Sequence, residues 1–168
     1  MWPLARRILN TDDDPERNRG RENQAMKALS KLGFLLMVAG IVGLLFTQSL
    51  LSENPVVIAI QAAAFALMIW ARITFGRRSF HLAANPTEGR LVTSGPYALV
   101  RHPIYAAVCT FVVAGAAGNL PKATCGLALL VFIGVAIRIV LEERLLMQKY
   151  PEYAEYAKAT KRIVPFVL

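Results

Sequence analysis

Cysteine and histidine are nearly missing from this chain of 168 residues, which has two of each. Cys109 and Cys125 stand in apolar segments without CxxC spacing, and His81 and His102 share one loop. A disulfide framework and a Cys/His metal centre are set aside, and the thiols read as small buried apolar groups. Acidic residues are also few, 11 against 19 Lys and Arg, giving a net charge of +8. No basic stripe interleaves with aromatics, however, so nucleic-acid binding is not expected. The charged N-terminal stretch is followed by a long apolar run with no small-x-small cleavage site, so this run reads as a retained span.

What the chain does have is apolar sequence: 55% hydrophobic residues and a mean hydropathy of +0.44. This predicts a single-domain, all-α integral membrane protein. Four apolar runs, 32–51, 55–73, 103–118 and 123–141, are the predicted spans, the third being short of the roughly 20 residues a crossing needs. Ser52-Glu53-Asn54 and Asn119-Leu120-Pro121-Lys122 read as tight turns, which predicts two antiparallel hairpins. Residues 1–30 read as a polar, mobile cytoplasmic arm, with Trp2, Leu4, Ile8 and Leu9 able to dip into the interface. The transmembrane domain then covers 31–168. The spacing of Ala39 and Gly43 suggests a close helix contact. Only Lys122 among the 19 basic residues falls in a predicted short turn. The others lie in the arm with the adjoining Lys31, in 72–101 and from Arg138 onward, which predicts cytoplasmic termini and a cytoplasmic middle loop over 74–101. Past Leu141 the helix is expected to run through Tyr150, where Pro151 interrupts it. A short helix over 152–160 follows, as a cytoplasmic extension.

Chemistry gathers at one corner of this scheme. In Ser94-Gly-Pro-Tyr-Ala-Leu-Val-Arg-His-Pro-Ile-Tyr-Ala106, Arg101 and His102 precede an apolar helix that Pro103 can start without losing a needed N–H. The open N–H groups expected there would receive an anion. Antiparallel third and fourth spans bring Arg101, His102 and Tyr105 near Arg138, Glu142 and Glu143, with Arg138 four residues before Glu142 and able to pair with it. Ionisable residues within or at the edge of a membrane are costly in lipid, so a paired cluster is a functional hypothesis. A ligand carrying both a carboxylate and an amine would satisfy both ends of the cleft. Tyr150, Tyr153 and Tyr156 read either as part of it or as an interfacial aromatic belt.

These residues are similar to two signatures of one family. Leu91-Val-Thr-Ser-Gly-Pro-Tyr97 with Val100-Arg-His-Pro-Ile-Tyr105 forms the first. Arg138, Glu142-Glu143, Leu146, Tyr150-Pro-Glu-Tyr153, Tyr156, Arg162 and Pro165 form the second. Together they resemble the isoprenylcysteine carboxyl methyltransferase and phospholipid methyltransferase group of membrane enzymes. The resemblance implies S-adenosylmethionine as cofactor, S-adenosylhomocysteine as product, and methyl transfer to a lipophilic acceptor such as the carboxylate of a prenylated cysteine. It implies that Tyr97, His102, Pro103, Tyr105, Glu142, Glu143, Tyr153 and Tyr156 bind the cofactor, that Arg101, Glu143 and Arg162 take part in catalysis, and that the segment 150–165 folds over the site. A carboxylate acceptor needs no base, and Arg101 is expected to orient it. An amine acceptor would need Glu142 or Glu143 as base.

Two rival readings stay open at this level. Sterol or steroid reductases, which use NADPH, share an Arg-His-x-x-Tyr-like element, but tend to have Arg-Asp where this chain has Glu142-Glu143. A non-enzymatic membrane adaptor or transport subunit would be expected to place polar residues along a midplane pathway, and the first three spans hold almost none.

Overall fold

In the computed structural model, residues 15–76, 91–118 and 122–164 are described. They form five α-helices and one 3₁₀ turn: α1 (Pro15–Phe46), α2 (Pro55–Phe75), the turn Gly95–Ala98, α3 (Pro103–Gly118), α4 (Lys122–Lys149) and α5 (Tyr153–Ala159). Among the described residues there is no strand, only an isolated parallel bridge between Val100 and Lys161. Helices α1, α2 and α4 are long and apolar enough to cross a membrane, while α3 is a shorter apolar helix of 16 residues. Leu35, Phe46, Phe65, Trp70, Ile73 and Leu129 all project from the helices into the surroundings. An apolar exterior of this kind belongs to an integral membrane protein.

Helix α1 departs from expectation at both ends. Residues 15–30 are its first half and not part of a mobile arm; residues 1–14 lie outside the described residues. Pro15 suits a first helical position, and the Arg, Glu, Gln, Ala, Met and Lys that follow are good helix formers. The helix stops at Phe46, before the predicted end at Leu51. Gln48 adopts a left-handed φ of 53°. The Ser49 N–H donates to Leu44 O at 2.9 Å and the Gln48 N–H to Leu45 O at 3.0 Å. This is a Schellman stop, with glutamine where glycine is usual, so the sequence gives no sign of it.

The segment from Thr47 to Asn54 is not a tight turn, because part of it folds inward. Ser49 and Leu50 are buried. The Thr124 hydroxyl donates to Ser49 Oγ at 2.9 Å, and Gln61 Nε2 donates to Leu50 O at 2.7 Å. Asn54 then caps α2 by accepting from the Val56 N–H at 2.9 Å, with Pro55 opening the helix. So anchored, the linker does not return α2 onto α1. The main packing pairs are α1 with α4 and α2 with α3, and α3 touches α4 more lightly. The helices therefore pair across the predicted hairpins, in the spatial order α2, α3, α4, α1.

Glycine sets how closely α1 approaches α4. A Cβ on Gly134 would stand 2.5 Å from Gly33 O and 2.7 Å from Met37 N; one on Gly40 would stand 2.6 Å from Val131 Cγ2 and 2.8 Å from Leu127 O. Of the pair expected at a helix contact, Ala39 is instead exposed, while Gly43 faces α4, where a Cβ would stand 2.6 Å from Leu127 Cδ2. Beside this seam Leu44, Leu50, Val112, Ala128, Val131, Val135 and Ile139 form the core.

Because backbone atoms of α1 crowd Gly134, Gly134→Leu should destabilise the protein by about 1–3 kcal/mol. Nothing lies within 4 Å of a Cβ built on Gly126, in the same helix. Gly126→Ala should therefore be neutral or stabilising by up to about 1 kcal/mol. Denaturant unfolding in detergent checks both, and equal effects at the two positions would refute the seam.

Candidate functional site

The site forms where the start of α3, the end of α4 and the segment after α4 converge. The approach to α3 is shaped by the 3₁₀ turn. Gly95 has φ +58°, and a Cβ there would meet Thr74 Oγ1 at 2.9 Å, so the position needs glycine on both counts. The chain then runs extended beside the tail of the molecule. The Arg101 N–H donates to Lys161 O at 2.7 Å and the His102 N–H to Arg162 O at 2.9 Å. From the sequence these donors are expected to be open for an anion. They instead hold the chain's own carbonyls, which the bridge between Val100 and Lys161 brings alongside. Pro103 follows, buried, at the first position of α3.

Glu143, near the end of α4, is the hub. Its side chain is 5% exposed. Oε1 accepts from Arg101 Nε at 2.9 Å and lies 3.3 Å from His102 Nε2, while Oε2 accepts from Arg162 Nε at 3.0 Å. Arg101 reaches further: Nη1 donates to Ala157 O at 2.7 Å and to Thr160 O, satisfying carbonyls at the C-terminus of α5. Arg101 therefore joins the start of α3, Glu143 and α5, and does not present an uncommitted guanidinium to an acceptor.

Glu142, one residue earlier, faces a second set of partners. Its Oε1 accepts from the Tyr105 hydroxyl at 2.6 Å and from Arg138 Nη2 at 2.9 Å, and its Oε2 stands 3.9 Å from His102 Nδ1. His102 thus sits between the two carboxylates. Arg138 is 5% exposed. It donates Nε to the Tyr105 hydroxyl and Nη1 to Ser30 O at 3.5 Å, and stacks over Phe34 at 5.3 Å. One guanidinium ties α1, α3 and α4 together.

Aromatic residues close the outer side. The Tyr156 hydroxyl donates to Tyr97 O at 2.7 Å, and the Tyr153 and Tyr156 rings meet edge to face at 5.8 Å. Burial pushes the Tyr156 hydroxyl up to about 12, against the lowering effect of its Thr160 contact and of Arg101. Tyr97 is pushed up further, again chiefly by burial. Tyr153 is 1% exposed, and its hydroxyl is buried without a hydrogen-bond partner among the described residues. Burial first, and the negative charge of Glu143 second, hold that hydroxyl well above the ordinary tyrosine range. All three phenols stay protonated at neutral pH.

Every residue expected at the site lies in this corner. Contacts join Arg101, His102 and Arg162 to Glu143, Tyr105 to Glu142, and Tyr156 to Tyr97. Pro103 contributes by packing and by starting α3. His81, the 77–90 stretch and Pro165 lie outside the described residues. Sequence reasoning omitted two groups from the site proper. Arg138 was visible as a partner four residues before Glu142, but its reach to Ser30 and Phe34 requires α1 beside α4. The Ala157 and Thr160 carbonyls carry no sequence signal at all.

Comparison with known proteins places these observations. The model of the isoprenylcysteine carboxyl methyltransferase family matches residues 55–148. The chain is 40% identical over 78 residues to the cobalt-zinc-cadmium resistance protein CzcN of Cupriavidus metallidurans, a stretch covering 45% of this chain and 35% of that protein. It is 35% identical over 78 residues to the nickel-cobalt-cadmium resistance protein NccN of Alcaligenes xylosoxydans xylosoxydans, covering 45% and 36%. The match thus spans about a third of the length of these curated relatives. No solved structure matches the chain.

Removing Arg138 alone would take from the Glu142 carboxylate its arginine counter-charge and from the Tyr105 hydroxyl oxygen its donor, so Arg138→Met should cost about 3–5 kcal/mol. In the double variant with Glu142→Gln no charge is stranded, and the glutamine oxygen can still accept from Tyr105. The double variant should recover at least half of the loss in a double-mutant cycle of unfolding free energies. Simple additivity of the two single changes would show that this pair is not coupled.

Proposed function

The chain belongs to the isoprenylcysteine carboxyl methyltransferase family, and from that premise we propose that it transfers a methyl group from S-adenosylmethionine to a lipophilic acceptor at the cytoplasmic face of the membrane. The acceptor group is a carboxylate, that of a prenylated cysteine or a similar lipid-borne acid. All four apolar helices cross the bilayer in this reading, with both termini and the loop before α3 on the cytoplasmic side, where the basic residues concentrate.

The observation that carries the reading is the buried Tyr153 hydroxyl, without a hydrogen-bond partner among the described residues, on the wall of a corner built from two carboxylates, three guanidiniums and an imidazole. A buried polar atom without a partner is uncommon, and this hydroxyl is free to donate to a ligand held in the corner. The donor set suits the amino-acid end of the cofactor: Glu142 and Glu143 for its amine, and His102 with the neighbouring cations for its carboxylate. When bound, S-adenosylmethionine supplies an electrophilic methyl group on a positively charged sulfur.

The residues of the chain then act mainly by positioning. Tyr97, Tyr153 and Tyr156 stay protonated and exclude water. Pro103 and Tyr105 fix the start of α3 against Glu142. Arg101 is a positioning residue, holding Glu143 and α5 in register, while Arg162 places a cation at the outer edge of the site. Both glutamates already accept from cations, so neither is poised as a base. That favours a carboxylate acceptor, which arrives without a proton to lose, over an amine. The apolar faces of the helices beside the site let such an acceptor approach from lipid.

Purified in detergent, the protein should be stabilised by S-adenosylmethionine and S-adenosylhomocysteine by about 2.7 kcal/mol at 100 times Kd, and NADPH should do nothing. A response to NADPH alone would replace this reading with a reductase. Glu143→Gln and His102→Ala should each weaken binding of S-adenosylhomocysteine roughly tenfold, about 1.4 kcal/mol, with helicity by circular dichroism unchanged. Loss of helicity in both variants would assign the pair to the fold instead.

A further inference from the structure

The two oxygens of Glu143 differ in how their partners are held. Oε1 faces inward to Arg101 and His102, whose side chains are 10% and 5% exposed. Oε2 meets only Arg162 among the described residues, and that side chain is 56% exposed. The backbone of Arg162 is fixed separately, because its carbonyl accepts the His102 N–H. The guanidinium can therefore leave Glu143 without undoing the bridge beneath it. The molecule thus holds a buried carboxylate whose outward oxygen is covered by a removable cation.

We infer that Arg162 is a placeholder: it occupies the position on Glu143 Oε2 that the cofactor's ammonium takes, and it must swing outward for the cofactor to bind. This rests on the adenosyl cofactor proposed above and adds that the chain competes with it. The exchange replaces one cation by another, so the buried carboxylate is never left without a counter-charge, which would be costly. The swing itself is inexpensive, since a cation more than half exposed keeps most of its hydration. Apparent affinity is lowered in proportion to the fraction of molecules in which Arg162 covers the oxygen. Arg162 thereby tunes cofactor exchange, and its removal tightens binding.

The test compares wild type, Arg162→Gln and Arg162→Lys by titration calorimetry with S-adenosylhomocysteine and with 5′-methylthioadenosine, which lacks the amino-acid end. Arg162→Gln should bind S-adenosylhomocysteine about three- to tenfold more tightly than wild type. Arg162→Lys, which keeps a cation, should lie closer to wild type. Methylthioadenosine should bind both variants and wild type alike, because it carries no ammonium to compete. Unchanged or weaker binding of S-adenosylhomocysteine by Arg162→Gln overturns the inference while leaving the cofactor reading intact. An equal gain for methylthioadenosine, or a lysine variant as tight as the glutamine one, overturns it too. A wild-type protein that binds neither adenosyl compound overturns the cofactor reading, and this inference with it.

Discussion

Charge at a membrane boundary has to be matched by charge, and this requirement organises the molecule. Glu142 and Glu143 leave α4 side by side, each carboxylate needing partners that no single helix can supply. Arg138 comes from the same helix, His102 and Tyr105 from the start of α3, and Arg101 and Arg162 from the segments on either side of the parallel bridge. The convergence of α1, α3, α4 and α5 follows from satisfying two acids. Weakening a largely buried partner such as Arg101 or Arg138 therefore acts on several elements at once.

The cluster requires close approach, and small residues permit it. Gly33, Gly40 and Gly134 let α1 lie near enough to α4 for Ser30 O and Phe34 to reach Arg138. Without a hydrophobic driving force between helices in lipid, such close packing and a few polar bonds hold the bundle together. The apolar core beneath, from Leu44 to Ile139, fills the remaining space. Seam and cluster thus belong to one arrangement, the first setting the distance and the second the alignment.

Much of this was legible in the order of residues. The apolar runs marked α2, α3 and the body of α4 because length and hydropathy are local properties, and Pro103 and Pro151 marked where helices begin and break. The corner was legible because Arg101, His102 and Tyr105 lie at one helix start and Arg138 to Glu143 near one helix end. The pairing of α1 with α4 was not legible. It depends on Ser49 and Leu50 folding inward to Thr124 and Gln61, and on a Schellman stop built on Gln48, where glycine would have given a signal. The closed state of the backbone donors at Arg101 and His102 was hidden for a similar reason. Their acceptors lie some sixty residues away, and a carbonyl has no identity in a sequence.

Arg138 and Glu142 pair within one helix, and this bears on how the chain enters a bilayer. A buried arginine arriving alone would oppose insertion of its helix, but here the counter-ion travels four residues behind and reaches the boundary on the same face. Helix α4 thus carries the counter-charge of its buried arginine within itself, apart from what Tyr105 or Ser30 supplies. The partners of Arg138 on the other helices, Tyr105 and Ser30, come from segments that precede it in the chain. One ion pair thus meets two requirements, neutralising a buried arginine within its own helix and aligning that helix with its neighbours.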